Sequence, residues 1–182
     1  MTFRQFAINN VIRNKRLYAA YFLSSLFTVM VFFTFAIFAF HPAFFDGSIR
    51  GEVLYGMAIA GGIIYVFSFF FVLYSMSSFL QSRKKEFGLL MMQGMSTRQI
   101  RLMVFMENML IGFFATLSGI LLGLVFAKAI LLLAENVLVI DEALNFYFPL
   151  WAILVTFVSF IVLFLFISLF VSFILRPGNW SI

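Results

Sequence analysis

Residues 83–101 read Arg-Lys-Lys-Glu-Phe-Gly-Leu-Leu-Met-Met-Gln-Gly-Met-Ser-Thr-Arg-Gln-Ile-Arg and separate two long apolar runs. Phe87, Leu90 and Met91 recur at helical spacing among charged residues, so the stretch is predicted to begin with a short amphipathic helix. Both flanking runs are long enough to cross a bilayer. The stretch is therefore expected to lie at a membrane surface and to offer a short cytoplasmic helix to a partner.

The end of this short helix and the start of the next one are both marked in the sequence. Gly94 is expected to end the first helix in a left-handed conformation, which glycine adopts at little cost. Ser96 and Gln99 have the spacing of a capping box for the helix that follows. The stretch is thus predicted to contain a turn of defined geometry between two helices.

Composition places the chain in the membrane. Of its 182 residues, 64% are hydrophobic and only 10% are charged, too few charges to cover a soluble domain of this length. Four apolar runs exceed the roughly 20 residues needed to cross a hydrocarbon core. The predicted fold is all-α, an integral membrane bundle of four transmembrane helices with a short coupling helix between spans two and three. The predicted spans are 17–40, 53–80, 102–133 and 149–175.

The distribution of basic residues predicts the orientation. Of the twelve lysines and arginines, only Arg50 and Lys128 fall outside the segments that would face the cytoplasm. Because such residues are enriched in cytoplasmic loops, both termini are expected to be cytoplasmic. The basic balance then reports topology and contact with anionic lipid, and nucleic-acid binding is not expected.

Residues 1–16 are predicted to form a basic segment at the membrane interface that leads into a transmembrane domain, 17–182. The same residues are equally consistent with ordinary positively charged anchors of the first span. The connections near 41–52 and 134–148 are too short to hold an extracytoplasmic domain.

Small residues recur every fourth position along the third span. This spacing allows another helix to approach closely, so the face is expected to pack against a neighbouring helix, with a moving gate as the less favoured alternative. The residues are Ala115, Gly119, Gly123 and Ala127.

Charged residues inside the spans are rare. Glu107 is expected to pair with Arg98, Arg101 or Lys84, or with charge on a partner, and Lys128 to reach the outer interface.

No constellation in the sequence predicts an enzyme. The chain lacks a phosphate-binding loop, a His-Glu-x-x-His pair and a Gly-x-Ser-x-Gly elbow. His41 is the only histidine and cysteine is absent, so no metal site and no cofactor are expected.

The run 83–123 resembles the FtsX-like permease family of ABC transporters, in which the segment after the second span docks on the ATP-binding subunit. The residues that match the family pattern are Arg83, Glu86, Leu90, Gly94, Ser96, Gln99, Ile100, Glu107 and Gly119. The resemblance implies an ATPase-coupling role for Arg83, Lys84, Glu86, Phe87, Leu90, Met91, Gly94, Ser96 and Gln99.

The N-terminal run Asn9–Phe22 and the short first connection resemble the bacitracin-export, or antimicrobial-peptide-resistance, branch. Members of that branch continue with six more spans and a large extracellular domain. This sequence stops soon after its fourth span, so it is expected to be either a truncated or split reading frame or half of a permease.

The resemblance implies a bacterial cell-membrane protein whose partners are an ABC ATP-binding subunit, the remaining permease half or a second copy, and a sensor histidine kinase. The leading hypothesis is a permease subunit that passes ATPase closure to membrane helices. The alternatives are a non-transporting membrane adaptor that recruits an ATPase or kinase, and a remnant without function.

Overall fold

The computed structural model describes residues 15–40, 51–138 and 149–174. These residues form five helices: α1 (Lys15–Ala39), α2 (Gly51–Ser82), α3 (Lys84–Met92), α4 (Thr97–Leu138) and α5 (Leu150–Ile174). All except α3 are long and apolar enough to cross a membrane, which gives four candidate spans. The all-α fold with four membrane helices is therefore confirmed.

Helix α1 occupies the centre of the arrangement, in contact with α2, α4 and α5, and α4 also packs along α5. The core between them is aromatic and aliphatic, and side chains such as Phe33, Phe160, Phe164 and Ile167 are fully buried. Broad apolar faces of all four long helices remain exposed, as expected for helices surrounded by lipid.

The third long helix extends beyond the predicted span at both ends. A span of 102–133 was expected, whereas α4 runs from Thr97 to Leu138. The helix begins at Thr97 because Ser96 caps it, as the Ser96–Gln99 spacing predicts, and residues 134–138 contain no glycine or proline to end it.

Several predictions fall outside the described residues. These are residues 1–14 of the predicted interfacial segment 1–16, residues 41–50 of the first connection, and residues 139–148 of the second connection. Within the described part, Lys15 and Arg16 are exposed and already belong to α1.

Candidate functional site

Helix α3 ends in a tight turn at Gly94. The φ angle of Gly94 is +92°, in the left-handed region. The Gly94 N–H donates to the carbonyl of Met91 at 3.0 Å, and the Met95 N–H donates to the carbonyl of Leu90 at 3.1 Å. This pair of bonds is a Schellman motif, which satisfies carbonyls that the helix end leaves without partners.

The next residues cap α4. The Ser96 N–H donates to Oε1 of Gln99 at 2.9 Å, and the Gln99 N–H donates to Oγ of Ser96 at 3.3 Å. The two bonds form the reciprocal capping box that the sequence indicates. Because a Schellman motif and a capping box are separated by so few residues, the angle between α3 and α4 is set by the backbone.

The apolar side of α3 packs against the protein itself. Phe87 and Leu90 are buried in the core of the bundle, and Met91 packs partly against it. In this structure these side chains therefore attach α3 to the bundle and do not form its accessible surface.

The accessible side of α3 combines charged and apolar residues. Lys84, Lys85 and Gly88 are exposed, and the apolar side chains Leu89 and Met92 are 56% and 79% exposed. We refer to Lys84, Lys85, Leu89 and Met92 as the α3 outer face. Sequence periodicity identified one apolar side of this helix, and the outer pair was missed because it lies off that periodic stripe.

Arg83 lies in the turn between α2 and α3 and is fully buried. The guanidinium carbon lies 5.2 Å from the ring centre of Tyr18, 5.3 Å from that of Phe79 and 5.1 Å from that of Phe87. We call these three rings with Arg83 the Arg83 cage. A desolvated cation over aromatic faces is attracted by the negative charge of each ring face.

Two carboxylates complete the surroundings of Arg83. Its Nε donates to Glu86 at 3.0 Å and its Nη1 donates to Glu107 at 2.5 Å. Burial lowers the pKa of Arg83, but the hydrogen bond and charge of Glu107 more than offset this, so its pKa lies above the usual value. The structure pairs Glu107 with Arg83, which was not among its expected partners, namely Arg98, Arg101, Lys84 or a charge on another protein.

Glu107 also accepts a hydrogen bond from the Tyr18 hydroxyl at 3.1 Å, which connects α4 to α1. The next residue, Asn108, accepts a hydrogen bond from the Tyr21 hydroxyl and donates to the Ser168 hydroxyl. Consecutive polar residues of α4 therefore link α1 and α5. The signal for this network was present in the sequence as an amide beside a carboxylate in an apolar helix, where unpaired polar groups are costly.

The small residues of α4 lie against bulky neighbours. A Cβ added at Gly119 would lie 2.7 Å from Cβ of Val29, and one added at Gly123 would lie 2.5 Å from Cδ1 of Phe33. Ala115 and Ala127 are fully buried. The glycines thus permit α1 and α4 to approach more closely than larger residues would allow.

Among the described residues, no group of three or more metal-ligating side chains comes together. The α3 region provides a short helix with an accessible outer face, fixed to the long helices by buried apolar side chains and by the Arg83 cage.

Residues 58–179 match the family model described as FtsX-like permease C-terminal. The chain is 47% identical over 179 residues to the ABC transporter permease protein YxdM of Bacillus subtilis (strain 168). It is 39% identical over 166 residues to the uncharacterized ABC transporter permease YvcS, and 25% identical over 171 residues to the bacitracin export permease protein BceB, both from the same organism.

These alignments include nearly all of this chain but only part of each relative. They cover 98%, 90% and 93% of the chain, and 29%, 26% and 26% of YxdM, YvcS and BceB. The chain therefore spans less than a third of the length of the relatives that it matches.

Proposed function

Because the chain belongs to the FtsX-like permease family of ABC transporters, a family of multi-pass membrane proteins, we propose that its α3 region couples an ATP-binding subunit to the membrane helices. The ATP-binding subunit contacts the α3 outer face. Its movement during nucleotide binding and hydrolysis displaces α3, and α3 displaces the ends of α1 and α4.

The observation that carries this proposal is the exposure of Leu89 and Met92 on a helix that is otherwise well anchored. Two large apolar side chains at a surface that also carries Lys84 and Lys85 fit an interface with an apolar centre and a charged rim. The rigid attachment of α3 through Phe87 and Leu90 suits a helix that must transmit displacement instead of absorbing it.

The orientation follows from the same proposal. ATP is cytoplasmic, so the end of the bundle that carries α3 faces the cytoplasm. Both termini are expected on the same side. The charged residues at this end agree with the enrichment of lysine and arginine in cytoplasmic segments. Anionic lipid headgroups are expected around them.

The substrate class comes from the relatives. Two of the matched proteins are named bacitracin export permeases, so we propose a role in resistance to antimicrobial peptides. The transporter would further require the remaining portion of the permease or a second copy of this chain. A sensor histidine kinase is proposed as an additional partner through which the complex reports the peptide.

The test is binding of the cognate ATP-binding subunit to the permease in lipid nanodiscs. Leu89→Ala combined with Met92→Ala removes the apolar centre of the α3 outer face and leaves its lysines in place. We expect the affinity for the ATP-binding subunit to fall about tenfold, since a few apolar anchors carry most of the energy of such interfaces.

A matched control is available on α4. Leu110 and Met106 are 59% and 57% exposed, similar to Leu89, but they lie within the span. Leu110→Ala combined with Met106→Ala should leave the affinity unchanged. If the α3 double variant binds as tightly as the wild type, the α3 outer face is not the docking surface.

A further inference from the structure

The Arg83 cage and the two carboxylates that bind Arg83 come from every element around the α3 turn. Tyr18 belongs to α1, Phe79 to α2, Glu86 and Phe87 to α3, and Glu107 to α4. A single side chain therefore contacts the short helix and three of the four long helices at one point. No other described side chain combines full burial, a formal charge and contacts of this kind.

The cage constrains movement because its charge is buried. If α3 moved away from α4 alone, Arg83 would lose a carboxylate partner or Glu107 would lose its cation, and an unpaired buried charge is strongly disfavoured. The Nη2 atom of Arg83 has no hydrogen-bond partner among the described residues, so the aromatic faces supply much of its remaining stabilisation. Moving as one unit with α1 and α4 avoids both losses.

The constraint extends beyond the cage. Glu107 is followed directly by Asn108, which holds Tyr21 on α1 and Ser168 on α5. Tyr18 and Tyr21 both pack against Phe79, with ring centres 5.0 and 5.3 Å away. A shift at Arg83 is therefore imposed on α1, α4 and α5 together.

We propose that Arg83 is a positioning residue that makes α3 and the adjoining ends of α1 and α4 move as one rigid body, so that displacement of α3 reaches the membrane helices. This inference rests on the proposed function for the origin of the displacement. Arg83 itself does not touch the ATP-binding subunit, because it is fully buried. Its replacement should leave docking intact and weaken transmission.

Arg83→Lys is the informative variant because it keeps the charge. The planar guanidinium of Arg83 donates hydrogen bonds to Glu86 and Glu107 from different nitrogens while its face lies over the rings. An ammonium group lacks this planar geometry. Arg16→Lys is the matched control. Arg16 is exposed at the start of α1, which is the end of that helix nearest to Arg83. If Arg83→Lys fails to accumulate, Tyr18→Phe tests the same network by removing only the hydrogen bond to Glu107.

The first measurement is a distance between spin labels in the permease reconstituted in nanodiscs. This chain has no cysteine, so Gln93→Cys on the α3 turn and Leu23→Cys on α1 give two defined label positions. In the wild type and in the Arg16→Lys control, the distribution of distances between the two labels should be narrow. In Arg83→Lys it should broaden, and in Tyr18→Phe it should broaden less.

The second measurement uses the full complex with its ATP-binding subunit. Arg83→Lys should bind that subunit with an affinity within about twofold of wild type. Permease-stimulated ATP turnover should fall about fivefold or more, with little change in KM for ATP. A fall of this size is expected for the loss of one coupling interaction. Narrow label distances and full stimulation in Arg83→Lys would overturn the inference. Failure of the wild type to bind the subunit would overturn the proposed function instead, because the label distances in the permease alone do not depend on it.

Discussion

At the scale of single residues, two glycines near the coupling turn show how backbone conformation decides a residue's role. Both Gly88 and Gly94 have open space where a Cβ would be added, so neither is there to avoid a collision. Gly88 is helical, whereas Gly94 has a φ of +92°. The same substitution should therefore have opposite effects at the two positions.

We predict that Gly94→Ala weakens α3 and that Gly88→Ala strengthens it. A left-handed alanine costs about 1–2 kcal/mol, while alanine in place of a helical glycine gains about 1 kcal/mol. Hydrogen exchange of the α3 amides measures both effects, with faster exchange in the first variant and slower exchange in the second. Equal exchange in the two variants would mean that the turn does not depend on the left-handed residue.

The sequence could predict the turn but not the Arg83 cage, and the reason is the range of the interactions. Gly94, Ser96 and Gln99 act on backbone atoms a few residues away, so their spacing is sufficient. Arg83 is buried by side chains from distant parts of the chain, such as Tyr18, and a positive charge in a polar stretch is ordinarily exposed. Burial of that charge depends on the tertiary arrangement of the helices.

At the scale of elements, the contact between α1 and α4 depends on residues that lack side chains. Gly119 lies against Val29 and Gly123 against Phe33, and the distances for an added Cβ are too short for either neighbour to stay in place. Gly62 on α2 meets nothing within 4 Å of such an atom. Gly62 is therefore a control position, a glycine in another long apolar helix where an added side chain meets no neighbour.

We predict that Gly119→Ile with Gly123→Ile destabilises the bundle and reduces assembly of the transporter, while Gly62→Ile does not. Overfilling a tight contact typically costs about 1–3 kcal/mol per site, because the neighbouring helix must move away. The thermal unfolding midpoint of the protein in detergent and the yield of assembled complex measure the outcome. Unchanged values in the double variant would show that α1 and α4 tolerate a wider separation.

The position of α3 relative to the bundle shows what periodicity can and cannot provide. The spacing of Phe87 and Leu90 predicted an amphipathic helix, and that helix is present as Lys84–Met92. Spacing alone does not state whether an apolar side faces the protein's own core or a partner. Both residues face the core, and the accessible apolar residues are Leu89 and Met92.

At the scale of the whole molecule, the described charges are concentrated at one end. Lys15 and Arg16 begin α1 beside the α3 region, since the nearby Tyr18 belongs to the Arg83 cage, and Lys128 lies near the opposite end of α4. Such asymmetry predicts that the α3 end is cytoplasmic. A chain free of cysteine allows this to be tested with single labels.

We predict that a membrane-impermeant thiol reagent added to intact cells labels Gly51→Cys and does not label Gln93→Cys. Both residues are exposed; Gly51 begins α2 and Gln93 lies beyond its other end, so the two variants report the two sides of the membrane. After permeabilisation both should react, which shows that Gln93→Cys is accessible in itself. Labelling of Gln93→Cys in intact cells would place α3 outside, where no ATP-binding subunit can reach it, and would exclude the proposed coupling role together with the predicted topology.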